Sequence, residues 1–86
     1  MLSEQIESLI VTEHLLVVED SKHISTVIQH IGTSLGFKVT VASSFAEVKQ
    51  LLSKKIKFYL ATVDYCLPDA LDGEVIPYIL EHGIPS

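Results

Sequence analysis

Three apolar runs typical of β-strands begin near residues 15, 37 and 59, so they recur at an interval of 22 residues. The stretches between them carry apolar residues at helical spacing. Two parallel strands need a crossover of about a dozen residues or more, usually a helix, and such crossovers are right-handed. The interval therefore predicts an α/β fold with a doubly wound parallel sheet.

The first unit combines a strand over residues 15–18 with a helix that begins at Asp20 or Ser21 and ends at Gly36. Aspartate and serine are typical N-caps, and glycine suits the position after a helix because it adopts positive φ easily. The helix has an apolar face about 15 residues long. That face is formed by Ile24, Val27, Ile28, Ile31 and Leu35.

The second unit combines an edge strand over residues 37–41, rich in β-branched side chains, with a second helix. Ser44 and Glu47 have the spacing of a capping box at the start of that helix. The buried side of the helix is predicted to consist of Phe45, Val48, Leu51 and Leu52.

The third strand, over residues 58–63, ends in a single carboxylate. Its six uncharged residues favour a strand that is buried on both faces of the sheet. A carboxylate within such a strand would cost a large desolvation free energy. Asp64 is therefore predicted at the carboxyl end of the strand, where open α/β sheets bind their ligands.

A loop over residues 65–71 follows, and then a third helix that Asp72 is predicted to cap. The apolar side of this helix is expected to consist of Val75, Ile76, Ile79 and Leu80. Pro77 is compatible with it only in the first turn, where no backbone hydrogen bond is lost. Gly83 is expected to end the helix.

Residues 1–13 are predicted to be a short preface, and residues 14–86 a partial domain. In the preface, Ser3 is a fair N-cap and apolar residues follow at helical spacing, but residues 9–11 also suit a strand. A fourth strand is due after Gly83, and the sequence stops at Ser86. We therefore expect a sheet whose next strand is missing.

Charge and composition exclude several classes of function. The net charge is −5 and all six basic residues are lysines, so no arginine is present to recognise phosphate or guanine, and nucleic-acid binding is not expected. No apolar run approaches the roughly 20 residues that a membrane span needs, and the acidic N-terminus does not resemble a secretory signal. The expected location is cytoplasmic. With Cys66 the only cysteine and no metal-binding spacing among the four histidines, neither an internal disulfide nor a zinc site is expected.

Carboxylates follow both the first and the third strand. Glu19 and Asp20 end the first strand, and Asp64 ends the third. In a sheet of order 2-1-3 these strands are neighbours at the switch point, where doubly wound folds bind ligands. Three carboxylates there would repel one another unless a hard cation joined them, and Mg²⁺ suits such a set. The alternative is that Asp20 only caps a helix and Asp64 only lies in a turn.

The arrangement of Glu19-Asp20, of Asp64-Tyr-Cys-Leu-Pro68 and of Asp72-Gly73 resembles that of a bacterial response-regulator receiver domain. The resemblance covers residues 14–86, which would be the first three of the family's five βα units. It implies a flavodoxin-like doubly wound parallel sheet in which strands 2-1-3 are present and strands four and five are missing.

The resemblance also implies a role for each matched residue. Asp64 would accept a phosphoryl group from a sensor histidine kinase or a phosphotransfer protein, in a two-component signalling pathway. Glu19, Asp20, Asp64 and the backbone carbonyl of Cys66 would bind Mg²⁺. Pro68 would stiffen the loop and Gly73 would allow the backbone to turn close to the site. A domain of this kind is a phosphoacceptor rather than an enzyme.

The chain departs from the family pattern in two ways. The spacing from Asp64 to Gly73 is one residue longer than is common. The family's switch Ser/Thr after strand four and its Lys after strand five have no counterpart here, because they would lie beyond Ser86. The polypeptide alone is therefore expected to be a poor phosphorylation switch.

A second class of function is a dimerisation or interaction module without phosphotransfer. The third strand would form an apolar sheet edge, which would favour a homo-oligomer through that edge or through swapping. A phosphatase with an aspartate nucleophile is less favoured because no second aspartate stands two residues after Asp64. Nucleotide-binding folds are disfavoured because no glycine-rich phosphate loop follows the first strand.

Overall fold

The computed structural model describes residues 13–64 and 67–86 as an alternation of strands and helices. In chain order the elements are β1 (His14–Val18), α1 (Lys22–Ser34), β2 (Lys38–Ala42), α2 (Phe45–Ser53), β3 (Leu60–Val63) and α3 (Val75–Glu81). The three strands form one parallel sheet in the order β2-β1-β3. The predicted fold class and strand order are therefore confirmed. The preface, apart from Glu13, lies outside the described residues.

The central strand β1 determines the alignment of its two neighbours. Val18, its last residue, pairs with Ala42 of β2 and with Val63 of β3. Residues 15–18 are all buried, as expected for a central parallel strand covered on both faces. The three strands thus end side by side at one edge of the sheet.

The two faces of the sheet are covered by different helices. Leu16 and Val18 of β1 lie in the main apolar core, together with residues of α2 and α3. The helical members of this core are Val48, Leu52, Val75 and Ile79. Leu15 lies on the other face, where it meets α1. Because side chains alternate along a strand, this division is what a doubly wound sheet requires.

Helix α1 approaches the sheet through small residues. Ser25 and Gly32 are its buried residues, and a Cβ atom on Gly32 would lie 2.9 Å from Leu15 Cδ2 and 3.0 Å from Val39 Cγ2. This close approach leaves most of the apolar face predicted for the helix turned away from the sheet. Within that face only Ile28 is half-buried, and the exposed residues are Ile24, Val27, Ile31 and Leu35.

The ends of α1 and α2 follow the predicted signals. Ser21 caps α1, since its Oγ accepts a hydrogen bond from the N–H of Ile24 at 3.3 Å. Gly36 follows the last turn of α1 with φ +94°. Ser44 caps α2 by accepting a hydrogen bond from the N–H of Glu47 at 3.2 Å.

The start of α3 differs from the prediction. The helix begins at Val75, and the cap position belongs to Glu74, which makes no side-chain capping bond. The prediction that Asp72 caps this helix is therefore wrong; the Asp72 N–H instead donates to Glu74 Oε1 at 2.8 Å. Pro77 is the third residue of the helix, in the first turn that it tolerates. Gly83 follows the helix with φ +78°.

Strand β3 is shorter and less buried than predicted. It begins at Leu60 rather than at residue 58, and Ala61 is its one fully buried residue. Its outer edge is partly covered, because the Ala61 N–H donates to the carbonyl of Pro85 at 2.8 Å. The C-terminal residues thus begin to pair beside β3, and the homo-oligomer through this edge stays a prediction.

None of the helices in the described part of the chain has the length and apolar character needed to cross a membrane.

Candidate metal centre

The backbone pairing of the sheet continues to the residues that carry the carboxylates. The Glu19 N–H donates to the carbonyl of Ala42 at 3.0 Å, and the Asp64 N–H donates to the carbonyl of Val18 at 2.8 Å. Both bonds extend the parallel ladder one residue beyond the strands. The pairing of β1 with β3 therefore places Glu19 and Asp64 next to each other at the carboxyl edge.

The turn from β1 into α1 holds Glu19 from its other side. The carboxylate of Glu19 accepts a hydrogen bond from the N–H of Ser21 at 3.2 Å. Ser21 also caps α1, so the same residue ends the turn and fixes Glu19. Of the two caps proposed from sequence, Ser21 rather than Asp20 makes the capping bond. The interpretation of Asp20 as only a helix cap is therefore not supported.

Glu19, Asp20 and Asp64 come together as one acidic cluster. One carboxylate oxygen from each lies within 4.8 Å of the other two. Glu19 and Asp64 are half-buried, whereas Asp20 is exposed. Carboxylate oxygens are the hard ligands that Mg²⁺ prefers, and this cation usually keeps several of its waters.

The electrostatics of Glu19 reflect this crowding. Burial is the largest effect that raises the pKa of Glu19, and the neighbouring Asp64 and Asp20 carboxylates raise it further, while the hydrogen bond from Ser21 opposes the rise. The negative charge on Glu19 is thus disfavoured where it stands. A bound divalent cation would favour the charged form of Glu19 and offset the repulsion between the carboxylates.

Asp69 lies outside the acidic cluster, although it follows Asp64 in the same loop. Its two carboxylate oxygens accept hydrogen bonds from the N–H groups of Phe45 at 2.8 Å and of Ala46 at 3.0 Å. These bonds lower the pKa of Asp69. These bonds therefore hold the loop after β3 against the start of α2. Asp69 and Phe45 are 24 positions apart, so no local sequence signal predicts their contact.

The loop after Asp64 contains a tight turn. Leu67 and Ala70 exchange backbone hydrogen bonds of 3.2 and 3.1 Å around Pro68 and Asp69. Pro68, with its restricted φ, suits such a turn. Gly73 has φ +73°, a conformation that favours glycine. The carbonyl of Cys66, which the resemblance names as a metal ligand, lies outside the described residues.

Comparisons with known proteins support the fold. No protein-family model matches the chain, and no curated protein gives a significant match. The chain is similar to a crystal structure of the signal receiver domain of a Vibrio parahaemolyticus protein designated a Luxo repressor, with a TM-score of 0.73 and 21% sequence identity. The match covers 88% of this chain but 58% of the other, so the chain spans less than two thirds of that domain. Over the matched part, this chain has the fold of a signal receiver domain.

Proposed function

We propose that residues 14–86 are part of the receiver domain of a cytoplasmic two-component signalling regulator. In this proposal Asp64 accepts a phosphoryl group from a sensor histidine kinase or a phosphotransfer protein, and the domain is a signalling module rather than an enzyme. The observation that carries the proposal is the cluster of Glu19, Asp20 and Asp64, whose oxygens lie within 4.8 Å of one another. The cluster stands at the carboxyl edge of a sheet with the receiver fold, where such sheets bind ligands.

The residues present fit a bound Mg²⁺ ion. The three carboxylates are the hard oxygen ligands that this cation prefers, and a bound cation would oppose the burial and the carboxylate neighbours that raise the pKa of Glu19. When bound, the cation would reduce the repulsion between a carboxylate and the oxygens of an approaching phosphoryl group. We assign Glu19, Asp20 and Asp64 as ligands, and we keep the carbonyl of Cys66 as a predicted fourth ligand.

The reaction assigned to Asp64 is a simple displacement at phosphorus. A carboxylate oxygen of Asp64 attacks the phosphorus of a phosphohistidine, an O–P bond forms, and the P–N bond breaks with its electron pair passing to the imidazole nitrogen. The backbone bond from Asp64 to Val18 holds the nucleophile at the strand end. The bond from Ser21 holds the carboxylate of Glu19 beside it. Positioning of this kind contributes much of the catalysis in phosphoryl transfer.

Binding of Mg²⁺ is the first test. Isothermal titration of the chain should show Mg²⁺ binding that Asp64→Asn weakens by about tenfold or more. The matched control is Glu81→Gln, which removes the same charge from the last residue of α3, outside the acidic cluster. Equal affinity in Asp64→Asn and in the unaltered chain would refute the assignment of Asp64 as a ligand.

Phosphorylation is the second test. Incubation with Mg²⁺ and a small phosphodonor, followed by mass spectrometry, should place any added phosphoryl group on the peptide that contains Asp64. A label on another residue, or equal labelling of Asp64→Asn, would contradict the phosphoacceptor role.

A dimerisation or interaction module without phosphotransfer is the second candidate. The exposed apolar side chains on α1 favour this candidate. The outer edge of β3 also favours it, although the Ala61 N–H on that edge already donates to the Pro85 carbonyl. Sedimentation at high concentration distinguishes this candidate. A homo-oligomer that forms with or without Mg²⁺, together with absent metal binding, would favour it over the phosphoacceptor.

A further inference from the structure

A cavity of about 370 Å³ opens beside the start of β3, at the edge of the sheet opposite the acidic cluster. It is lined by residues 52 and 55–58, at the end of α2 and the entry to β3, and by residues 82–84 after α3. Leu52, Phe58 and Ile84 belong to the main apolar core and form an apolar wall. The volume lies within the range of about 300–1,000 Å³ that small-molecule sites have.

Two lysines give the mouth of this cavity a positive charge. Lys55 and Lys57 line it, and both side chains are exposed. Within the described part of the chain, neither lysine forms an ion pair with a carboxylate. The whole chain has a net charge of −5, so the cavity is a local region of opposite sign. We call it the basic cavity.

The backbone at Lys55 places a lysine where glycine fits better. Lys55 follows the cap of α2 with φ +59°, the only positive φ at a non-glycine position among the described residues. Gly36 and Gly83 hold the same position after α1 and α3, with φ +94° and +78°. Glycine adopts this conformation without the steric cost that a side chain incurs. The unfavourable backbone at Lys55 therefore points to a role for its side chain, which lines the basic cavity.

The helix ends around the basic cavity limit the charge that a ligand can carry. The carboxyl ends of α2 and α3 carry partial negative charges of at most about half an elementary charge each. Some of these carbonyls are already bonded, since those of Leu52 and Leu80 accept from the N–H groups of Lys55 at 3.2 Å and Gly83 at 2.9 Å. Two full positive charges outweigh these partial charges, but the small margin favours a ligand with one negative charge over a ligand with two.

We propose that the basic cavity binds a small organic acid, with its single carboxylate at Lys55 and Lys57 and its hydrophobic tail against Leu52, Phe58 and Ile84. Lysine ammonium groups bind a carboxylate as point charges and need no bidentate geometry. The apolar wall accounts for the tail, because an inorganic anion would leave that wall uncovered. The site lies at the far edge of the sheet from the acidic cluster and does not depend on the proposed phosphoryl transfer.

Titration of the full chain with octanoate, followed through backbone amide NMR shifts, tests the proposal. Saturable shifts are expected at residues 52–58 and 82–84, with a dissociation constant of about 1 mM or tighter. Lys55→Gly and Lys57→Gln should each weaken binding by about threefold or more, because each removes a cation from the site. Lys54→Gln is the matched control, since it removes the same charge from an adjacent residue that does not line the cavity, and it should retain the affinity.

Lys55→Gly also separates binding from folding. Glycine relieves the backbone at this position, so urea denaturation should show a variant at least as stable as the unaltered chain while its affinity for octanoate falls. Octanol tests the need for the charge, and acetate tests the need for the tail. Each should bind at least about tenfold more weakly than octanoate.

The proposal is overturned if octanoate at about ten times the expected dissociation constant shifts no residue of the basic cavity. It is also overturned if the shifts lie instead along α1, where Val27, Ile31 and Leu35 are exposed. Equal affinity for octanol would show that the lysines are not used, and equal weakening by Lys54→Gln would show a general effect of charge; either result contradicts the site. Weaker binding by both cavity variants, with Lys54→Gln unchanged, supports it.

Discussion

The carboxylate of Asp69, in the loop after β3, accepts a hydrogen bond of 2.8 Å from the backbone N–H of Phe45, the first residue of α2. The second oxygen of Asp69 accepts from the N–H of Ala46 at 3.0 Å. Two of the helix N–H groups that have no partner within α2 are thereby satisfied from a distant loop. Asp69 supplements Ser44 as a cap and holds the loop that follows the candidate site against α2.

Replacing Asp69 by alanine is expected to lower the midpoint of thermal unfolding. The change leaves two helix N–H groups without their charged partner and frees the loop from α2. Differential scanning calorimetry at neutral pH measures the shift. Asp72→Ala, at an exposed aspartate of the same loop, is the control and should change the midpoint much less.

The stabilisation by Asp69 should depend on pH. Its hydrogen bonds lower the pKa of Asp69 from an ordinary value of 3.8. The contribution is therefore present in full above the unfolded-state pKa and is lost as the pH falls through the lower folded-state pKa. The difference in unfolding midpoint between the unaltered chain and Asp69→Ala should shrink below about pH 4. A difference that stays constant down to pH 2 would contradict the role of the ionised carboxylate.

Gly32→Ala is expected to destabilise the protein although alanine favours helices. The new Cβ would lie 2.9 Å from Leu15 Cδ2 and 3.0 Å from Val39 Cγ2. Overpacking of this kind costs about 1–3 kcal/mol, whereas the gain in helix propensity is about 1 kcal/mol. We expect a net loss of about 1 kcal/mol in the free energy of unfolding, measured by urea denaturation. Thr33→Ala, at the exposed neighbour, should instead stabilise by about 0.5 kcal/mol.

Asp20→Asn is expected to raise stability and weaken metal binding at the same time. In the absence of a divalent cation, the substitution removes one of three crowded negative charges, so the unfolding midpoint in chelator should rise. If Asp20 binds the cation as proposed, the further rise that saturating Mg²⁺ produces should become smaller in this variant. A variant that keeps the full stabilisation by Mg²⁺ would show that Asp20 does not bind the cation. Glu81→Gln serves as the control for the charge change.

His14 is expected to make the fold less stable in mild acid. Burial, followed by the charge of Lys38, lowers the pKa of His14 below its ordinary value of 6.5. The ring also shares a hydrogen bond with Thr40 and packs on Phe58 at a centroid distance of 4.6 Å. Because the unfolded chain takes up the proton first, the free energy of unfolding should fall as the pH drops from above 6.5 through the lower folded-state pKa. Urea denaturation between pH 7.5 and pH 5 measures this slope.

His14→Gln should flatten that dependence on pH, whereas His23→Gln, at an exposed histidine on α1, should leave it unchanged. If both variants keep the slope of the unaltered chain, another group is responsible for it.

The architecture was predictable because the strands recur at a regular interval along the sequence. An interval of 22 residues leaves room for one helix between parallel strands, and the sequence itself shows that the first and third strands end at Glu19-Asp20 and at Asp64. The caps at Ser21 and Ser44 were predictable for a similar reason, since capping depends on residues three apart.

The features that could not be predicted depend on contacts between distant residues. The apolar face of α1 was visible in the sequence, but its orientation was not, because Ser25 and Gly32 rather than the large side chains approach the sheet. The role of Asp69 depends on where the loop after β3 meets α2. The assignment of Asp72 as a cap was wrong because Glu74 occupies the cap position of α3.

The pairing of Val18 with Val63 has a consequence for how the candidate site can fail. A strand that slips by one residue turns every side chain to the opposite face and moves along its neighbour by about 3.3 Å. Such a slip of β3 would carry Asp64 away from Glu19 while the number of backbone hydrogen bonds hardly changed. The register of the sheet therefore sets the distance between Glu19 and Asp64, and a chain could keep its secondary structure and still lose the candidate metal centre.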